Sequence, residues 1–283
     1  MKRCRAMFSF LQSILIGRCR PVSSVFLAPS DTPTAVIALE LLDNLPHDKI
    51  GRCMVTGDIL QAEVAPVASK DPDVMDVGFD DLGAARFDTS DRYTETFSHM
   101  NDPLLTKILS IAPSLYAPMV GPRWVPTVAL GILMKLLECR PNSSIAFADF
   151  DWLPPPDLSN YSGAQGGLGG KYVPSAETAA GDPLVTDMEG KDHMCYLTEE
   201  PGLLCDILFP TDFGRLSNFA SQYLTRGERS ESDANRSTVL AMKQRDFLLK
   251  YGSDEVNKTK GWSGYSPLIN DFGNCSVLTI TPR

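Results

Sequence analysis

The chain has 283 residues, 43% of them hydrophobic and 22% charged, which is the balance of a globular protein with a real core in one large domain or two ordinary ones. Its net charge of -9 and pI near 4.9 argue against a nucleic-acid binder, which shows a basic face. No GxSxG elbow occurs, which removes the common α/β hydrolase pattern.

The charge is unevenly spread. Residues 1–30 lack Asp and Glu but carry Lys2, Arg3, Arg5, Arg18 and Arg20. The stretch MKRCRAMFSFLQSILIGRCR has three readings, a mitochondrial transit peptide, a short secretory signal or an ordinary buried helix. Its apolar middle is too short to span a bilayer, and no later segment is apolar enough to do so. Residues 31–102 hold fifteen acids and five bases, a segment charge of -10. That is read as a solvated surface, or as an attractor for a cationic substrate such as an arginine side chain. The seven cysteines are scattered without CxxC spacing, so no metal site is expected and buried thiols are the preferred reading.

In chain order, Thr34–Leu39 (TAVIAL) is a continuous apolar run that suits a strand covered on both faces. Leu45-Pro46 stops any helix begun after Glu40. Residues 66–103 read as a long acidic surface loop. Pro126–Cys139 has helical apolar spacing with Pro126 near its start. Ser144–Phe150 (SIAFADF) is the next strand, with Asp149 and Asp151 at its C-terminal end. Residues 153–183 form a second long loop. Its GAQGGLGG lacks GKS/T and is not flanked directly by strand and helix, so it is no phosphate cradle. Leu203–Phe209 reads as a third strand, with Thr211 or Asp212 capping a helix through LSNFASQYL. Val239–Tyr251 reads as a helix and Asn274–Thr281 as a last strand. Alternating strands and helices predict an α/β sheet.

Four blocks together resemble one family, the MidA-like class I S-adenosylmethionine-dependent methyltransferases, which includes a mitochondrial complex I assembly factor that methylates protein arginine. ALELLDNLPHDKI resembles the family's fourth strand and its turn. SIAFADFDWLP is similar to the fifth strand with its Asp-Phe end. GLLCDILFPTDFGRL is similar to the block that carries Asp-Ile and Asp-Phe. RDFLLKYG with SPLINDFGNCSVLTI resembles the terminal helix and strand. The blocks lie in the family's order over residues 34–281.

The resemblance implies an incomplete Rossmann-like class I methyltransferase sheet, comprising the later strands and a terminal antiparallel strand. The first strands are missing or replaced, because no Glu-x-Gly-x-Gly cofactor motif precedes Ala38. On this reading residues 1–30 are a basic N-terminal segment and residues 31–283 the C-terminal part of a methyltransferase domain. Without the family's first strand, TAVIAL becomes an apolar edge, which Val22–Leu27 (VSSVFL) is expected to cover.

The implied cofactor is S-adenosyl-L-methionine, and the implied partner is a protein substrate, a complex I subunit in the mitochondrial matrix. No metal and no nucleic acid are implied. Glu40 and Asp43 are expected to contact substrate or cofactor, since carboxylates grip a planar guanidinium in a bidentate way. Asn44, His47, Asp149 and Asp151 are expected as supporting groups, with His47 also able to accept a proton. Each has an ordinary reading beside it: a helix-start carboxylate for Glu40, a turn for Asp43-Asn44, an exposed loop for His47 and strand-end capping for the two aspartates. Asp206 and Asp212 are read as structural. A catalytically inactive member that serves as a binding or assembly module is the alternative function.

Overall fold

The structure is a computed structural model that describes residues 29–66, 93–116, 121–154, 181–193, 205–226 and 237–282. The basic segment up to residue 28, VSSVFL and GAQGGLGG lie outside the described residues.

The first half of the chain contains strands β1 (Ala35–Leu39), β2 (Asp48–Arg52), β3 (Ile59–Pro66) and β4 (Tyr93–His99), with a 3-10 turn, Leu42–Asn44, between β1 and β2. Helices α1 (Pro103–Ile111) and α2 (Pro113–Tyr116) follow, then β5 (Arg123–Val125), α3 (Thr127–Cys139) and β6 (Ser144–Phe150). The second half contains β7 (Leu184–Asp187), β8 (Asp192–His193), β9 (Cys205–Leu208), α4 (Phe213–Arg226), β10 (Ser237–Lys243), α5 (Gln244–Tyr251), α6 (Ser253–Lys258), α7 (Pro267–Asn270) and β11 (Cys275–Pro282).

The main sheet has the order β1-β6-β11-β10. β1 and β6 are parallel, in a register that pairs Leu39 with Ala148. β11 is inserted antiparallel to both β6 and β10. The terminal strand is therefore antiparallel, as expected. Two antiparallel sheets stand apart from it, β4-β3-β2-β5 and β8-β7-β9.

α4 packs on β10 and β11, and buried residues of α1–α4 share one hydrophobic core with the main sheet. Ile145 and Phe147 of β6 and Leu278 and Ile280 of β11 pack there against Leu130 and Leu133 of α3 and Phe219 of α4, all nearly inaccessible. Burying a side chain such as Phe219 contributes about 1.5–3 kcal/mol relative to leaving it in water. The buried residues of α4 (Phe213, Leu216, Phe219, Ala220, Leu224) recur at helical spacing on one stripe. Asp212 caps this helix, accepting from the Arg215 N–H at 2.9 Å. Asp102 does the same for α1 through the Leu105 N–H at 2.8 Å, with Pro103 at the first helical position. Helices α1 and α3 approach closely at Gly131, where an added Cβ would meet Leu104 Cδ2 at 2.9 Å.

On the opposite face, Ile37 and Leu39 of β1 are exposed, 69% and 64%. Among the described residues β1 pairs only with β6, and none of them pairs with its other edge.

Three expectations are corrected. Residues 237–243 are strand, and the helix starts at Gln244. The apolar run could follow either period, and the open side of β11 decides, pairing Val239 with Ile280. The described ends of the expected 66–103 loop are strand: Pro66 ends β3 and Tyr93–His99 is β4, its ladder partner. β9 is a strand, but it pairs with β7 instead of joining the main sheet. Cys139 and Cys275 are buried free thiols.

Candidate functional site at the tips of β1 and β6

Two parallel neighbours in register end side by side. The Glu40 N–H donates to the Ala148 carbonyl at 2.9 Å, carrying the ladder one residue past β1. Glu40 and Asp149 thus sit at adjacent strand tips. Glu40 has φ of 51°, the only positive φ at a non-glycine residue among those described. This left-handed conformation costs a residue with a Cβ about 1–3 kcal/mol unless its surroundings impose it. Its side chain lies in an exposed position.

The turn after Glu40 explains the conformation. Leu41 returns to right-handed backbone (φ -114°, ψ -41°) and Leu42–Asn44 wind one 3-10 turn. A left-handed residue followed by right-handed ones points successive N–H groups into one concavity, an anion-binding nest. The carboxyl of Asp149 fills it: Oδ2 accepts from the Leu42 N–H at 2.6 Å and the Asp43 N–H at 3.2 Å, with Leu41 N–H adding to the set. Oδ1 accepts from the N–H of Phe150 at 2.7 Å. Asp149 is 1% exposed.

Asp43 is also buried, and its side chain is hydrogen-bonded to Asn44 Nδ2 at 2.7 Å and to Asp149. Burial pushes its carboxyl up to about 7, and the charge of Asp149 adds to the effect. Burial raises Asp149 too, but the main-chain N–H groups on it favour its charged form. The pair therefore keeps one proton between its members into the neutral range, and that proton belongs on Asp43.

His47 is stacked on Phe209, ring centroids 4.0 Å apart and nearly parallel, and its Nδ1 lies 2.8 Å from the Leu45 carbonyl. Burial lowers its pKa to about 4, so the ring is neutral at physiological pH and a weak proton acceptor. Trp124 meets Phe209 edge-to-face at 5.1 Å. The chain after β9 is tied to both strand tips, because Phe209 N–H donates to the Asp43 carbonyl at 2.9 Å and Thr211 N–H to the Phe150 carbonyl at 2.8 Å.

The structure thus brings Glu40, Asp43, Asn44, His47 and Asp149 together. Asp151 faces elsewhere: its Oδ2 is bound by Ser276 Oγ of β11 and Lys243 Nζ of β10, on the side of β6 away from β1. Phe209, Thr211 and Trp124 were not foreseen as part of the site. Their signal is spatial, since β9 and β5 reach the tips from separate sheets. Among the described residues no group of His, Cys, Asp and Glu is arranged to hold a metal ion, and no helix is long and apolar enough to cross a membrane.

No protein-family model matches the chain, and no curated protein matches it. Among solved structures, it is similar to a COG1565 superfamily member and "likely methyl transferase" from Burkholderia thailandensis bound to S-adenosyl-homocysteine, with a TM-score of 0.51 and 14% identity over 90% of this chain and 55% of that one. It is also similar to an uncharacterized COG1565 superfamily protein from the same organism, with a TM-score of 0.52 and 13% identity over 89% and 56% of the two chains. The chain spans a little over half the length of the structures it matches. At these identities the likeness establishes the fold: a mixed α/β architecture shared with proteins of that superfamily.

Proposed function

We propose that this chain is the acceptor-facing part of an S-adenosylmethionine-dependent methyltransferase that modifies an arginine side chain of a protein, within mitochondrial complex I assembly. The observation that carries the reading is the pairing of β1 and β6, which sets Glu40 beside Asp149 at parallel strand ends, where open α/β sheets bind ligands. The fold shared with a protein that binds S-adenosyl-homocysteine supports the cofactor. The arginine acceptor and the complex I role rest on the resemblance of the four sequence blocks, and the matrix location on that resemblance and the basic N-terminal stretch.

S-adenosylmethionine would supply a methyl group on a sulfonium. This chain's residues would orient the nitrogen that receives it. The exposed carboxylate of Glu40 would accept hydrogen bonds from a planar guanidinium and aim its lone pair. Asp43, buried and bonded to Asn44 and Asp149, would support the turn without adding a second anion beside Glu40. The main-chain N–H groups of the turn are already engaged by Asp149, so Glu40 is the group of the turn left to meet the guanidinium.

Calorimetric titration with S-adenosylmethionine tests the proposal. Heat that saturates in the micromolar range, followed by transfer of a labelled methyl group to an arginine peptide, is the expected result. Absence of heat at high micromolar cofactor removes the autonomous enzyme. It would leave the second reading, a binding or assembly module, which the exposed Ile37 and Leu39 of β1 favour.

A further inference from the structure

We propose that Asp149 is a positioning residue: an internal anion that fills the main-chain nest at Leu41–Asp43, holds Glu40 in its left-handed conformation, and so fixes where the Glu40 carboxylate stands. The part about Glu40's role rests on the methyltransferase reading; the part about Asp149 rests on geometry alone.

Three observations converge. First, Glu40 is the one described non-glycine residue with positive φ, and neither a turn glycine nor an Asn stands there to make that conformation easy. Second, the N–H groups released by that conformation converge on a single carboxylate, at 2.6 Å from Leu42 and 3.2 Å from Asp43. A charged acceptor makes such bonds shorter and stronger than a neutral one. Third, Asp149 is 107 residues from Leu42 in sequence and sits on a strand buried between two others, so its position is set by the sheet and not by the turn. The sheet therefore dictates the turn. Leu42 and Leu45, both buried, seat it from below.

The groups that surround this carboxylate are Asp43 and Glu40 from the turn, Cys275 from β11, and Asp151 with its partner Lys243 at the other side of the strand end. Lys243, the cation among these groups, is held by Asp151 and does not pair with Asp149 in the contacts described. A neutral amide in place of Asp149 would present one acceptor oxygen instead of two and no charge. The turn would then have no reason to keep Glu40 left-handed.

Amide NMR on the full chain reads this directly. In the wild type the Leu42 amide proton is expected far downfield, as for a short bond to a carboxylate. In Asp149→Asn it should move upfield. The amides of Leu42 and Asp43 should then exchange at least about tenfold faster, while Val277 and Leu278 in β11 keep their protection. A second measurement uses coupling. Glu40→Gly should raise the folding equilibrium constant of the wild type about fivefold or more by relieving the strained φ, and should gain little in the Asp149→Asn background, where the turn has already relaxed. Unchanged Leu42 and Asp43 amides in Asp149→Asn, or an equal gain from Glu40→Gly in both backgrounds, overturns the proposal. If Asp149→Asn does not fold, the wild type decides alone. Leu42 and Asp43 amide shifts that follow the Asp149 side-chain carbon through its acid titration support the proposal, and amides indifferent to it refute it. None of these readouts involves S-adenosylmethionine, so the fate of the methyltransferase reading is decided separately.

Discussion

Phe209 grips the tip of β1 with its backbone and its ring at once. Its N–H donates to the Asp43 carbonyl at 2.9 Å, and its ring covers the imidazole of His47 with centroids 4.0 Å apart. Phe209→Ala should therefore do two things. It should cost about 3–5 kcal/mol, the usual loss for a buried Phe, measured by urea unfolding. It should also raise the His47 pKa from about 4 toward the ordinary histidine value, since burial is what lowers it, visible in the imidazole proton shift. A loss of stability with no change in the titration would show that another group shields the ring.

The two perturbed groups of the turn give stability opposite pH slopes. Asp43 titrates near 7 when folded and near 3.8 when unfolded. Between those values the native state holds the extra proton, so Asp43 makes the protein less stable as pH rises from about 4 to about 7. His47 titrates near 4 when folded and near 6.5 when unfolded. There the unfolded state holds the extra proton, so His47 makes the protein more stable as pH rises across about 4 to 6.5. The two slopes largely cancel in the wild type. Asp43→Asn should expose the rising slope, and His47→Phe, which keeps a ring on Phe209, should expose the falling one. Thermal melts at a series of pH values check both, and identical profiles for the two variants would contradict the assignment.

The edge of β1 that no described residue pairs with should be sticky. Ile37 and Leu39 are exposed on a strand that the described residues leave unpaired on one side. Ile37→Lys should reduce concentration-dependent self-association in sedimentation velocity, because a charge on an edge strand opposes pairing. Its stability cost should stay within about 0.5 kcal/mol, as for other surface changes.

Gly131 separates two effects of similar size. Gly131→Ala gains about 1 kcal/mol of helix propensity. Against this, the new Cβ meets Leu104 Cδ2 at 2.9 Å, the far end of a flexible side chain that can turn away. The two should offset to within about 1 kcal/mol in chemical denaturation. A loss well beyond that would mean that α1 itself must shift.

Much of the main sheet was legible in the sequence because its strands are short apolar runs ending in acids. TAVIAL and SIAFADF needed only continuity of apolar residues, and the helix of α3 only its period. β10 was misread as helix because STVLAMK is apolar enough for either period, and only the strand beside it settles the matter. β2 and β3 were missed because Asp48, Lys49, Gln61 and Glu63 interrupt them. Three of these are satisfied across the sheet, Lys49 by Glu95 at 2.9 Å and Gln61 by Asp48 at 3.0 Å, and Glu63 is exposed. At the site, residue type and strand-end position brought forward Glu40, Asp43 and Asp149. That Asp43 is buried and Asp151 turned toward Lys243 depends on side-chain direction at a twisted strand end, which a one-dimensional pattern does not carry.

β11, the last described strand in chain order, lies in the interior of the main sheet, with β6 on one side and β10 on the other. During synthesis, a ribosome must release nearly the whole described chain before these two flanks can be bridged. Until then β6 shows a bare hydrogen-bonding side, and the hydrophobic surface of α4 lacks Leu278 and Ile280 to rest on. A nascent chain of this design shows that surface to chaperones and proteases until β11 has left the ribosome, and termination before Cys275 would remove the keystone of the sheet and not a dispensable appendage.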